Sequence, residues 1–269
     1  MMRIFGAIIL LVIFAVPAVL GPPMALFIIA LIVLPTCLYE LYRVGIGENA
    51  KLLGWIGLVG SFPYLYTIYM HNTALSFLLL CGLSLLIMAA GLFLFEKGRA
   101  TAMDINLAIS GLIYPLALLS FWVLLRNDID GRFWMIFGVI CTFGADTGAY
   151  YTGKTFGRHA LAPGLSPKKT VEGLYGGIAT SVIAGSLFYI LYNRFAPLEL
   201  PSPLWAVPIM ACAVSLLDLM GDLSASLYKR QFGVKDMGNL IPGHGGMLDR
   251  MDGIIPVGIF LYFAIQVVR

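Results

Sequence analysis

The chain has 269 residues, of which 60% are hydrophobic and 12% charged, with a formal net charge of +3, and its mean hydropathy is +0.92. That composition excludes a soluble globular protein and a basic nucleic-acid-binding surface, so no nucleic-acid partner is expected. What remains is an all-α, polytopic integral membrane protein, a single membrane domain over 1–269 whose site is built from helix ends and loops.

Apolar runs long enough to cross about 30 Å of hydrocarbon predict nine spans, at 4–20, 24–42, 52–70, 74–95, 105–125, 133–152, 172–193, 204–228 and 253–268. The first follows Met1-Met2-Arg3 as a signal peptide would, but Ala15-Val16-Pro17-Ala18 offers no convincing small-residue cleavage site, so it reads as a retained span. With this parity Arg126, Arg132, Arg194 and Arg269 fall on one side, and the other thirteen of the 17 lysines and arginines on the opposite side. The positive-inside rule then puts the N-terminus and the two long polar loops, 153–171 and 229–251, in the cytoplasm, and the C-terminus outside. Residues 1–130 read as N-terminal helices for packing, lipid access and dimer contacts, and 131–269 as the catalytic helices and loops. The stretch from Glu96 to Asp104 reads as a solvated, mixed-charge turn, and Cys37, Cys81, Cys141 and Cys212 as buried thiols inside spans. No internal repeat of the kind found in many transporters is visible.

Polar residues inside such a chain need a reason. Asp218, Asp222 and Ser226 are four apart, with Lys229 and Arg230 following, so one helical face of the eighth span carries a polar stripe inward from the membrane surface. An ionised acid at the depth of Asp222 costs on the order of 2.5–3.5 kcal/mol unless cations, water or partners meet it; a structural ion pair is the plainer reading. Asp249 and Asp252, three apart beside Arg250, open the ninth span. Carboxylates from different helix ends across a polar pocket suit a hard cation such as Mg²⁺, which takes few protein oxygens and leaves positions for phosphate and water. Gly243, Gly245 and Gly246 flank His244 and would let backbone N–H groups approach phosphate, or simply make a tight turn into a helix. Asp146 is a further acid within a span, and Lys168-Lys169 are adjacent cations that suit phosphate or, alternatively, anionic lipid headgroups. Gly148 to Gly153-Lys154-Thr155 matches a P-loop formally, yet it follows an apolar span with Tyr150 and Tyr151 in its loop, so the match is rejected.

Ser226-x-x-Lys229-Arg230, Lys235-Asp236 and Pro242-Gly243-His244-Gly245-Gly246-Met-Leu-Asp249-Arg250-Met-Asp252 together resemble the signature of the phosphatidate cytidylyltransferases, or CDP-diacylglycerol synthases. Asp146-Thr-Gly-Ala-Tyr150 and Ser166-Pro167-Lys168-Lys169-Thr170 with Glu172-Gly173 extend the resemblance, which begins near residue 131. It implies a Mg²⁺-dependent nucleotidyltransferase, with room for a second cation, that converts CTP and phosphatidate into CDP-diacylglycerol and pyrophosphate. It further implies a homodimer, multi-pass in the inner (cytoplasmic) membrane among its lipids, with a polar cavity facing the cytoplasm. Asp222 and Asp249 match the family's metal-binding acids and, with Lys229, Arg230 and Arg250, form the expected catalytic set. Asp146, Lys168, Lys169, Ser226, Lys235, His244, Gly245 and Gly246 are the expected substrate-binding residues. Two other readings stand beside this one: a CTP-dependent polyprenol or phytol kinase, and an ion transporter with Asp146, Asp218 and Asp222 along its pathway. A transporter would spread polar groups through the whole membrane depth, whereas these cluster in one half.

Overall fold

The computed structural model describes residues 16–199, 202–240 and 245–268. They form helices α1 (Val16–Leu20), α2 (Pro23–Gly45), α3 (Lys51–Tyr69), α4 (Thr73–Glu96), α5 (Ala102–Asn127), α6 (Gly131–Phe156), α7 (Val171–Phe195), α8 (Ala206–Gln231), α9 (Leu248–Met251) and α10 (Ile255–Val268). A short antiparallel hairpin, β1 (Ala160–Ala162) and β2 (Ser166–Thr170), interrupts them between α6 and α7. The protein is a polytopic helical membrane protein: seven helical segments among the described residues are long and apolar enough to cross a bilayer. The expected count of about nine is not confirmed. Most of the first predicted span lies outside the described residues, and α6, the sixth, is diluted by Asp146, Lys154 and several glycines and threonines.

The described residues divide into two compact units, one drawn from Met1–Leu124 and Gln231–Met251, the other from Leu125–Arg230 and Asp252–Arg269. In the first, α2 begins with Pro23, whose missing N–H costs nothing in an opening turn. Tyr42 is the pin of this unit: its hydroxyl donates to the Ala108 carbonyl at 2.6 Å, and its ring lies on Gly57, where a Cβ would come within 2.6 Å of the hydroxyl oxygen. Asp104 is buried rather than solvated. It closes a capping box with Thr101 at the start of α5 and accepts the Gly47 N–H at 2.7 Å, so an isolated acid satisfies N–H groups that the helix start leaves unpaired. Pro115 sits in a π-helical turn, Leu112–Ala117, where the wider spacing absorbs its missing donor. The cysteines are all free; Cys37 and Cys141 are buried as expected, whereas Cys81 is exposed on α4, the least buried of the seven spans.

In the second unit α6 and α7 pack along most of their length. Small residues allow it: Gly173 and Gly177 of α7 lie against the carbonyls of Ala149 and Ala145, each with room for no Cβ beyond 2.9 Å, the close backbone approach typical of helices that meet in lipid. This contact fixes the face of α6 that bears Asp146. Gly221 of α8 lies against the Asp252 carbonyl, and Gly253 against the Asp218 carboxylate, seating the start of α10 on α8. A Gly177→Leu variant should therefore force the α6–α7 pair apart, at about 1–3 kcal/mol for an overpacked contact. Its thermal unfolding in detergent should fall by several degrees relative to wild type, and an unchanged midpoint would contradict the close approach.

Candidate active site

The second unit encloses a cavity of about 480 Å³. Asp146, Tyr150 and Lys154 reach it from one face of α6, at positions four apart; Lys168 and Lys169 come from β2, and Asp218 and Asp222 from successive turns of α8. Three carboxylates and three ammonium groups thus line one polar pocket in an apolar bundle. Lys169 is ion-paired with Asp222, and its charge also acts on Asp146 and Asp218. Asp218, buried at 6% exposure, feels the carboxylates of Asp146, Asp222 and Asp252 together. Lys169 is thus the ammonium that acts on all three acids of a lining in which carboxylates and ammonium groups are equal in number.

The hairpin that carries the two lysines was not legible as strands, and it is fastened at both ends. Glu172, in the first turn of α7, accepts the Arg158 and His159 N–H groups at 3.0 and 3.2 Å and bonds His159 Nδ1 at 2.6 Å. Thr170 caps α7 by accepting the Gly173 N–H at 3.1 Å. At the turn, Arg230 Nε donates to the Leu165 carbonyl at 3.2 Å. Arg230, expected as a catalytic cation, therefore secures the loop that presents Lys168 and Lys169. Ser226 and Lys229 share its helix and do not line the cavity. Gly153-Lys154-Thr155 lies in the last turns of a continuous helix, which no P-loop could do.

Asp249 belongs to the first unit, with Gly245, Gly246, Lys235 and Arg250. Its Oδ2 accepts the N–H groups of Met237 at 2.8 Å and Gly246 at 3.0 Å, so the Gly246 N–H is committed within the turn. Gly245 has φ +81°, and a Cβ there would stand 3.2 Å from the Asp249 carboxylate and 3.3 Å from that of Asp236, two independent demands for glycine. Lys235 and Arg250 are exposed. His244, with Pro242 and Gly243, lies outside the described residues. Sequence reasoning missed two residues here: Lys154, read only as part of a rejected motif, and Glu40, the single acid within the second span. Glu40 carried a usable signal, since an acid inside a membrane span is a functional candidate in its own right.

A profile of the cytidylyltransferase family matches residues 1–268. The chain belongs to that family. It is 32% identical over 234 residues to the phosphatidate cytidylyltransferase of Bacillus subtilis, covering 84% of this chain and 83% of the relative. The Staphylococcus aureus enzyme of the same name is 31% identical with 94% of each chain covered, and that of Thermotoga maritima 31% identical with 86% and 84% covered. The match to the cytidylyltransferases includes the N-terminal helices, which the sequence signature did not reach.

The donor chemistry can be tested against the divalent cation that a cytidylyltransferase implies. Among the described residues no three His, Cys, Asp or Glu side chains gather into a metal-binding cage. The neighbouring hard carboxylates of Asp218 and Asp222 fit a cation of the Mg²⁺ type, which takes one or two protein carboxylates and fills its remaining positions with water and phosphate. The Lys169–Asp222 pair is open to a double-mutant cycle. Lys169→Gln should destabilise the protein by about 1–3 kcal/mol by leaving acids without their cation, and adding Asp222→Asn should recover most of that stability while activity stays lost. Equal, additive losses of stability would show that the pair contributes nothing.

Proposed function

We propose that this chain is a phosphatidate cytidylyltransferase of the cytoplasmic membrane, transferring the cytidylyl group of CTP to phosphatidate to give CDP-diacylglycerol and pyrophosphate. Family membership over 1–268 supports the reaction class, and the observation that carries the chemistry is one cavity in which Asp146, Asp218 and Asp222 face Lys154, Lys168 and Lys169. The nucleophile needs no base, because phosphatidate carries an ionised phosphate. One of its oxygens forms a bond to the α-phosphorus of CTP, the bond from that phosphorus to the α–β bridging oxygen breaks, and the electron pair departs with pyrophosphate.

The work left to the protein is to bring two polyanions together and align them. Lys154, Lys168 and Lys169 attract both phosphates, screen their repulsion and favour the charge that builds on the leaving group. Asp222, with Asp218 and Asp146 beside it, would hold the divalent cation. That cation, when bound, supplies further neutralisation of phosphate charge. Asp249 is proposed, from its place in the signature, as a second essential acid serving the cation, and Ser226, Lys229, Arg230, Lys235, His244 and Arg250 as groups that serve the same substrates. The bias of basic residues toward the polar loops supports a cavity on the cytoplasmic side, and we take the functional form to be a homodimer.

The test uses purified protein, Mg²⁺ and CTP labelled at either the α- or the γ-phosphorus, with phosphatidate in one reaction and a polyprenol in another. Label from the α-position should enter the lipid with phosphatidate alone, and Asp222→Asn or Asp249→Asn should lower that incorporation at least about a hundredfold, the equivalent of several kcal/mol of lost charge stabilisation. Lipid carrying γ-label would make the protein a kinase. No labelled lipid under any condition would return the transporter reading.

A further inference from the structure

Glu40 is 4% exposed and sits on α2, in the part of the chain that carries no signature residue. A carboxylate buried there is costly unless donors meet it. Its donors come from more than 200 residues away in the sequence: Met247 N–H reaches Oε1 at 2.9 Å and Leu248 N–H reaches Oε2 at 2.8 Å. Each oxygen takes one bond, which fixes both the plane of the carboxylate and the path of the backbone it receives. The loop is shaped to admit it. A Cβ on Gly246 would come within 2.5 Å of Oε2, and one on Gly238 would strike the same carboxylate.

Together with the Gly246 N–H bound by Asp249 at 3.0 Å, three consecutive backbone N–H groups are taken by two carboxylates. Gly245 and Gly246 thus make room for protein carboxylates. We infer that Glu40 is a positioning residue for the transfer reaction: by holding Met247 and Leu248 it sets the orientation in which the adjoining Asp249 and Arg250 are presented. This rests on the reading of Asp249 as an essential acid. Its consequence is that the N-terminal helices contribute to the chemistry, beyond anchoring the chain in the membrane.

The experiment compares wild type with Glu40→Gln, which keeps the shape but replaces one acceptor with an NH₂ group that faces an N–H. Two readouts separate positioning from stability. Hydrogen–deuterium exchange in peptides covering 245–251 should rise while peptides of α6 and α7 stay unchanged. The Mg²⁺ concentration giving half-maximal CDP-diacylglycerol formation should rise about tenfold or more, the usual scale for loss of a residue that orients a ligand; a smaller folded fraction would not move this quantity. If Glu40→Gln cannot be purified as a monodisperse protein, Glu40→Asp, which retains the charge but withdraws it by one methylene, is measured in the same way. Unchanged exchange, or an unchanged Mg²⁺ requirement with only a lower melting temperature, would overturn the inference and leave Glu40 a folding staple. Absence of product from wild type would instead count against the proposed reaction, so the two failures are distinguishable.

Discussion

A carboxylate carried into an apolar helix must be met by a cation or by N–H groups, and much of this protein is arranged to meet that demand. Asp222 is met by Lys169, Glu40 by the N–H groups of Met247 and Leu248, and Asp104 by Thr101 and Gly47. The three solutions differ in their setting. Glu40 and Asp104 are satisfied by backbone donors of fixed position, and they lock loops. Asp222 instead lines the cavity, where its partner Lys169 also acts on Asp146 and Asp218.

The same contrast explains the supports around the cavity. Lys168 and Lys169 lie on a hairpin, and flexible cations on a free loop would lose much of the advantage of proximity. Glu172, Thr170 and Arg230 remove that freedom from both ends. Beneath them, the glycines of α7 allow α6 close enough to place Asp146 and Lys154 on the same pocket. Packing, capping and electrostatics thus converge on one requirement, holding opposite charges near one another around a cavity.

Much of this was legible in the sequence because burial of charge is so costly. Asp218 and Asp222 at helical spacing, Asp146 within a span and Lys168-Lys169 after it identified the cavity's wall from residue type alone, and the structure brings them together. The spans from α2 to α5 also match the apolar runs to within a few residues. What escaped were properties of tertiary contact. The bond from Arg230 to the hairpin could not be read from the sequence, because it depends on where the Leu165 carbonyl arrives. Asp104 looked solvated because a capping box and a distant N–H are invisible in a mixed-charge string. Nothing in the local sequence announces that a glutamate from the second span lies against Gly246 of the glycine-rich turn.

The proposed chemistry depends on Asp222 holding a divalent cation together with the nucleotide. Binding of Mn²⁺ in place of Mg²⁺, followed by electron paramagnetic resonance on purified protein with and without CTP, measures this without relying on turnover. Wild type should bind Mn²⁺ more tightly when CTP is present, and Asp222→Asn should lose that binding while remaining folded. Undiminished Mn²⁺ binding by Asp222→Asn would contradict the account.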